Sequence, residues 1–190
     1  EMSDTQRESA AWKQFTKVLK KDLKQYNKNG VKDDAIAARI KNLWHSWLAR
    51  PDTSVRKRTK AQANAMAGLI VKGNGPTDIL YELLSPEFDV NPEIATTQMD
   101  TLLFMSIKNV NVPHIMTLLH WNADVTTVHL PSNEGQCRNA LTWALRMPTG
   151  RWFDQDANIE VDRTLYVVER LLTKGATIRA LSRHNKFEIE

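Results

Sequence analysis

Apolar positions recur at three- and four-residue steps along most of this chain, and polar breaks divide the pattern into helices. Trp12, Phe15, Leu19, Leu23 and Tyr26 fall on one face of a helix predicted from about Thr5 to Tyr26. Asn27-Lys28-Asn29-Gly30 reads as its stop, with Gly30 free to take a left-handed conformation. A second helix is expected to begin near Asp33, which can cap free N–H groups, and to end before Pro51. Its stripe is Ile36, Ile40, Leu43, Trp44, Trp47 and Leu48. The connection is short, so the two helices should pack antiparallel, with Trp12, Trp44 and Trp47 in their core. Arg50-Pro51-Asp52-Thr53-Ser54 is turn chemistry. The basic run Arg56-Lys57-Arg58-Thr59-Lys60 then opens a third helix that reaches about Val71.

Downstream, short helices alternate with turns at Gly73-Asn74-Gly75-Pro76, Ser85-Pro86, Asn109-Val110-Asn111-Val112-Pro113 and Trp121-Asn122. No stretch shows sustained period-2 alternation with strand-like composition, so the expected class is all-α.

The segment from Thr101, TLLFMSIKNVNVPHIMTLLHWNADV, carries a two-helix pattern. Thr101, Leu103, Phe104 and Ser106 match the opening T-P-L-H-x-A of an ankyrin repeat. Ile115, Leu118, Leu119, Ala123 and Asp124 match its closing V-x-x-L-L-x-x-G-A-D. Asn122 stands where glycine is usual, a residue that also tolerates the left-handed helix end. Pro113 sits at the start of the second helix, where its missing N–H costs nothing. A second copy runs from Asn139 through Ala140-Leu141-Thr142-Trp143-Ala144-Leu145 to Val168, Leu171, Leu172, Gly175, Ala176 and Thr177. Leu118 and Leu171 are 53 positions apart, against a period of about 33. The excess is expected before Asn139 and as an insertion at about 147–161. A degraded third copy lies upstream at Gly75, Ile79, Leu80, Leu83, Leu84, Asp89, Val90 and Asn91.

Over about residues 61–180 the chain therefore resembles a short, irregular ankyrin-repeat protein. The resemblance implies an α-solenoid in which stacked helix pairs supply each other's core. It implies a division into a basic helical cap region, residues 1–60, and an array of about three repeats, residues 61–190. The Trp-rich hairpin would cap the first repeat. The residues after Ala180 are few and polar, so the last repeat is expected to cap itself. The resemblance also implies a non-enzymatic module that binds another protein along a concave groove, as an adaptor. Small arrays of this kind occur among intracellular regulators and among bacterial or viral proteins that act on host factors. The columns exposed along that groove fall on Met105, Lys108, Trp143 and Arg146. Arg151, Trp152 and Phe153, in the insertion, are placed to rim it; Trp and Arg dominate interface hot spots, and inserted loops concentrate function.

Charge adds a second reading. Residues 1–60 hold 15 Lys+Arg against 7 Asp+Glu, and residues 61–190 hold 11 against 15. Lys13, Lys17, Lys20, Lys24 and Lys28 recur on one side of the first helix, and Arg56, Lys57 and Arg58 come next. Such a surface can bind phosphates of nucleic acid or an anionic membrane, although no helix-turn-helix, zinc finger or other reading head accompanies it.

Catalytic and metal chemistry find little support. Cys137 has His114, His120 and His129 upstream, but no local nucleophile signature surrounds it. The same residues lack the close cysteine pairs of structural zinc sites. There is no G-x-x-x-x-G-K-[ST] phosphate loop, and Asp154 and Asp156 fall on a predicted loop. No metal or cofactor is expected. A single cysteine excludes an internal disulfide, which fits a reducing, cytoplasmic setting. No run is long enough to span a bilayer and no signal-peptide core opens the chain.

Overall fold

The computed structural model describes residues 3–28, 32–49, 56–86, 101–129, 138–154 and 157–177; at 56–60 only the helical backbone is described. Expectations for Gly30, for the turn at 50–54, for 89–91 and for Cys137 lie outside this set. The chain forms two compact units, Glu1–Val90 and Asn91–Glu190.

In the first unit, α1 (Asp4–Tyr26) opens on a capping box in which Ser3 and Gln6 each accept the other's backbone N–H. The Asp33 carboxylate accepts the Ile36 N–H at 3.1 Å and starts α2 (Asp34–Leu48). Phe15, Leu19, Leu23 and Tyr26 of α1 are buried, as are Ile40, Trp44 and Trp47 of α2. Trp12 is half-buried, stacked on Phe15 at 4.9 Å and tilted against Trp47 at 5.0 Å. One carboxylate, Asp22, is buried on this face. Arg39 forks onto it with Nε at 2.9 Å and Nη2 at 2.6 Å, so the burial is offset by a two-bond ion pair between the helices.

α3 (Arg56–Lys72) buries Ala63, Met66, Ala67, Ile70 and Val71, and α4 (Thr77–Leu83) buries Ile79, Leu80 and Leu83. Between them the chain turns at Gly75, where a Cβ would lie 2.7 Å from Leu23 Cδ2. A larger residue there would have to push the ends of the Leu23 and Ile70 side chains aside. The Asn27 amide donates to the carbonyls of Gly73 and Asn74, and Trp47 Nε1 donates to Gln62 at 2.8 Å. Within this unit the α1–α2 hairpin thus packs on the α3–α4 pair.

In the second unit, α5 (Leu102–Lys108) packs against α6 (Val112–His120) and α7 (Ala140–Ala144). α8 (Arg163–Thr173) packs against α6 and α7. All four helices are started by a side-chain oxygen. Thr101 accepts from Phe104 N–H at 3.2 Å, Asn111 from His114 N–H at 3.2 Å, Asn139 from Thr142 N–H at 2.9 Å and Asp162 from Leu165 N–H at 2.9 Å. The ends repeat too. After α5, α6 and α8, as after α3, a left-handed residue lets two N–H groups reach back to the last-turn carbonyls. Those residues are Asn74, Val110, Asn122 and Gly175. Leu103, Ile115, Leu118 and Leu119 are buried, as their spacing predicts. Ser106 and Ala144, both buried, are the small residues at equivalent positions on α5 and α7, and the Ser106 hydroxyl is satisfied by the Leu102 carbonyl at 2.9 Å.

The chain is mostly helical, and among the described residues there are two additions that the helical reading missed. β1 (Val128–His129) pairs with β2 (Arg138–Asn139), and β3 (Arg151–Asp154) with β4 (Ile159–Asp162), both antiparallel. The segment at 147–161, expected as a loop or an extra turn, is a β-hairpin running straight into α8, and Asp154 belongs to its first strand. Four-residue strands are too short for alternation to stand out in a sequence. The expected boundary at 60/61 falls inside α3; the compact units divide between Val90 and Asn91.

Candidate protein-binding surface

Met105 and Lys108 project from α5, Trp143 from α7 and Arg146 from the turn after it. Counted from the caps Thr101 and Asn139, Met105 and Trp143 hold the same position on neighbouring helices, as do Lys108 and Arg146. Met105 and Trp143 are half-buried, and Lys108 and Arg146 are exposed. Residues three apart on a helix share a face, so two apolar positions lie beside two cationic ones.

The central contact is aromatic. Trp143 meets the buried Phe104 ring edge-on, with centroids 5.3 Å apart and an interplanar angle of 72°. Lys108 Nζ lies 5.5 Å from the Trp143 centroid and 5.7 Å from that of Phe104. The ammonium therefore sits where the ring quadrupoles attract it. The sequence placed Trp143 and Lys108 on this surface; that Phe104 anchors them was not foreseen, because it depends on how α5 and α7 stack.

Arg151, Trp152 and Phe153 lie on β3, and alternation sends them to different faces. Trp152, opposite Val161, is half-buried; Phe153, opposite Glu160, is half exposed. Arg151 shares the outer face and pairs with Glu160 at 2.5 Å. The hairpin is fixed to α8 rather than left free to rim a groove. The Asp154 carboxylate is buried 3.9 Å from the Arg170 guanidinium, and it accepts the Ala157 N–H at 3.3 Å. The Arg170 guanidinium lies 5.1 Å from the Tyr166 ring centroid, and burial raises the Tyr166 phenol above its ordinary pKa against the pull of Arg170. Arg163 closes the base of the hairpin, its N–H on the Gly150 carbonyl and Nη2 on that of Pro148, both at 2.8 Å.

At the loop after α6, Asp124 accepts from Thr126 and Thr127. Both hydroxyls lie at 2.6 Å, and together they hold its carboxyl below the usual range. On the first unit, Lys13, Lys17, Lys20, Lys24 and Lys28 are all exposed, as is Lys21. At 3.6 residues per turn the first five span roughly 80° of arc, away from the buried stripe. Arg56, Lys57 and Arg58 lie on the first turn of α3, with side chains outside the described set. His114 is buried on α6, and the exposed His120 ring lies edge-on to Trp121 at 5.4 Å. Among the described residues no three His, Cys, Asp or Glu side chains gather as a metal site, and no helix is long and apolar enough to cross a membrane.

No protein-family model, no curated protein and no solved structure matches the chain.

Proposed function

We propose that this chain is a protein-interaction module built from ankyrin-like helix pairs, and that it holds its partner on the surface of Met105, Lys108, Trp143 and Arg146. The observation that carries this reading is the paired packing of the second unit. First helix α5 lies on first helix α7, second helix α6 on second helix α8, and each pair is closed by matching caps. Stacked pairs of this kind leave a row of first-helix side chains available to a partner. The row here is apolar beside cationic, which suits a protein segment presenting apolar residues next to carboxylates. Phe153 and Arg151, outward on the hairpin, offer a second contact. The reading includes no catalytic role, metal or cofactor and places the protein in the cytoplasm. Affinity capture with the wild-type chain and with a Lys108→Glu/Arg146→Glu variant tests it. A protein retained by the first and lost by the second supports it; identical captures refute it.

A second reading is favoured by one observation. Along residues 13–28 six lysines are exposed while the one acidic residue, Asp22, is buried and held by Arg39. This stripe would bind nucleic-acid phosphates without reading sequence, or adsorb to an anionic membrane. For duplex DNA, replacing the five stripe lysines by glutamine should then flatten the salt dependence by as much as about 4.5 log units per log unit of salt. An unchanged slope excludes the stripe as the contact.

A further inference from the structure

Between Lys13 and Lys28 the exposed side chains are six lysines and two glutamines, Gln14 and Gln25. The acidic residue in that span, Asp22, is buried and held by the Arg39 guanidinium. The large apolar residues are turned inward: Phe15, Leu19, Leu23 and Tyr26 are buried, and Trp12 stacks on Phe15. The outer face of α1 is thus a strip of cations and amides, with neither a negative nor an apolar side chain exposed along it. From Lys13 to Lys24 five lysines rise about 16 Å along the helix axis, one charge per about 4 Å. Lys20 and Lys21 stand about 100° apart around that axis and mark the two edges of the strip.

Resting on the reading of this stripe as a phosphate-binding surface, we infer that α1 lies along the major groove of double-stranded DNA and meets its two phosphate walls. One strand of the duplex carries a phosphate per about 3.4 Å of axis, a linear density close to that of the lysines. The B-form major groove is about 12 Å wide and admits an α-helix, so lysines at both edges of the strip reach phosphates at once. The corresponding groove of duplex RNA is deep and narrow, closed even to side chains. A single strand is held by aromatic side chains on which its bases stack; among the described residues of α1 no aromatic ring is exposed. A bilayer takes up a helix by its apolar face, and a basic face alone is only one of the two signals that stable anchoring needs. Here the apolar face is packed inside the hairpin. The ammonium groups act as point charges on phosphates, so the contact carries no base preference.

The test is fluorescence anisotropy of the full chain with a short labelled DNA duplex, the same sequence as an RNA duplex, and one DNA strand alone. Cosedimentation with phosphatidylcholine–phosphatidylserine vesicles accompanies it, with circular dichroism as a fold control. Affinity for the DNA duplex is expected to fall with a log–log salt slope of about −5, from six lysines at about 0.9 each. The RNA duplex and the single strand should bind about tenfold or more weakly at the same salt. Lys17→Gln/Lys20→Gln/Lys24→Gln should keep the helical signal and flatten the slope by about 2.7. Lys13→Gln/Lys28→Gln, at the ends of the strip, should flatten it by about 1.8. Equal binding of either other nucleic acid overturns the inference, as do slopes that neither variant changes. Vesicle binding without DNA binding also overturns it but leaves the stripe a phosphate surface, whereas binding to none of these probes removes both. The partner surface on the second unit is untouched by any of these results.

Discussion

Trp143 lies edge-on against Phe104 across the α5–α7 contact, 5.3 Å between centroids, so the residue we propose as a partner anchor is also a structural one. A double-mutant cycle on Phe104→Leu and Trp143→Leu should return a coupling of about 0.5–1.5 kcal/mol in urea unfolding, the usual range for such pairs. Additive changes would mean that the rings do not meet.

Val110 is the unusual member of the four left-handed helix ends, with φ of 56°, where asparagine or glycine fills the other three. A β-branched residue is strained there. Val110→Asn or Val110→Gly should therefore raise the unfolding free energy by about 1 kcal/mol. A loss of stability on both substitutions would show that the Val110 methyls contribute more packing than the strain costs.

Trp152 and Phe153 should separate. Trp152 is half-buried and Phe153 faces outward, so Trp152→Ala should lower the melting temperature while Phe153→Ala stays within about 0.5 kcal/mol of the wild type, as surface changes do. Equal losses would mean that both faces of the hairpin are covered.

Asp124 gives a pH signature. Its carboxyl is held below its ordinary value, near 3.8, chiefly by the hydroxyls of Thr126 and Thr127. The depressed value means that its stabilisation is complete above that pH and disappears as pH falls through the folded-state value. The stability gap between wild type and Asp124→Ala should thus be widest near neutrality and shrink below about pH 3.8. A gap that does not change with pH contradicts the hydrogen-bond assignment.

These features were not equally legible in the sequence. The helices of residues 101–124 and the Trp-rich hairpin could be read because caps and left-handed residues act within a turn or two. Thr101, Asn111, Asn122 and Gly175 each announce themselves locally. The β3–β4 hairpin could not, since its pairing depends on Asn158 taking a positive φ and on Asp154 finding Arg170, contacts that four-residue strands do not advertise. Of the candidate surface, Met105, Lys108, Trp143 and Arg146 come from the columns that the ankyrin resemblance exposes along a groove. The Phe104 anchor and the exposure of Leu165 and Leu172 depend on which helix stacks on which. Asp22 was passed over for a similar reason: only the approach of Arg39 from α2 explains a carboxylate on a buried face.

The measurement that bears most directly on the central claim is a calorimetric titration of the captured partner protein with the wild type and with Lys108→Glu/Arg146→Glu, beside their melting temperatures. Both side chains are exposed, so the stability difference should stay within about 1 kcal/mol, the size of the exposed cation–π contact that Lys108 gives up. Affinity should fall about 30-fold or more, corresponding to about 2 kcal/mol. Equal affinities with equal melting temperatures would contradict the account and leave the lysine stripe of α1 as the leading surface.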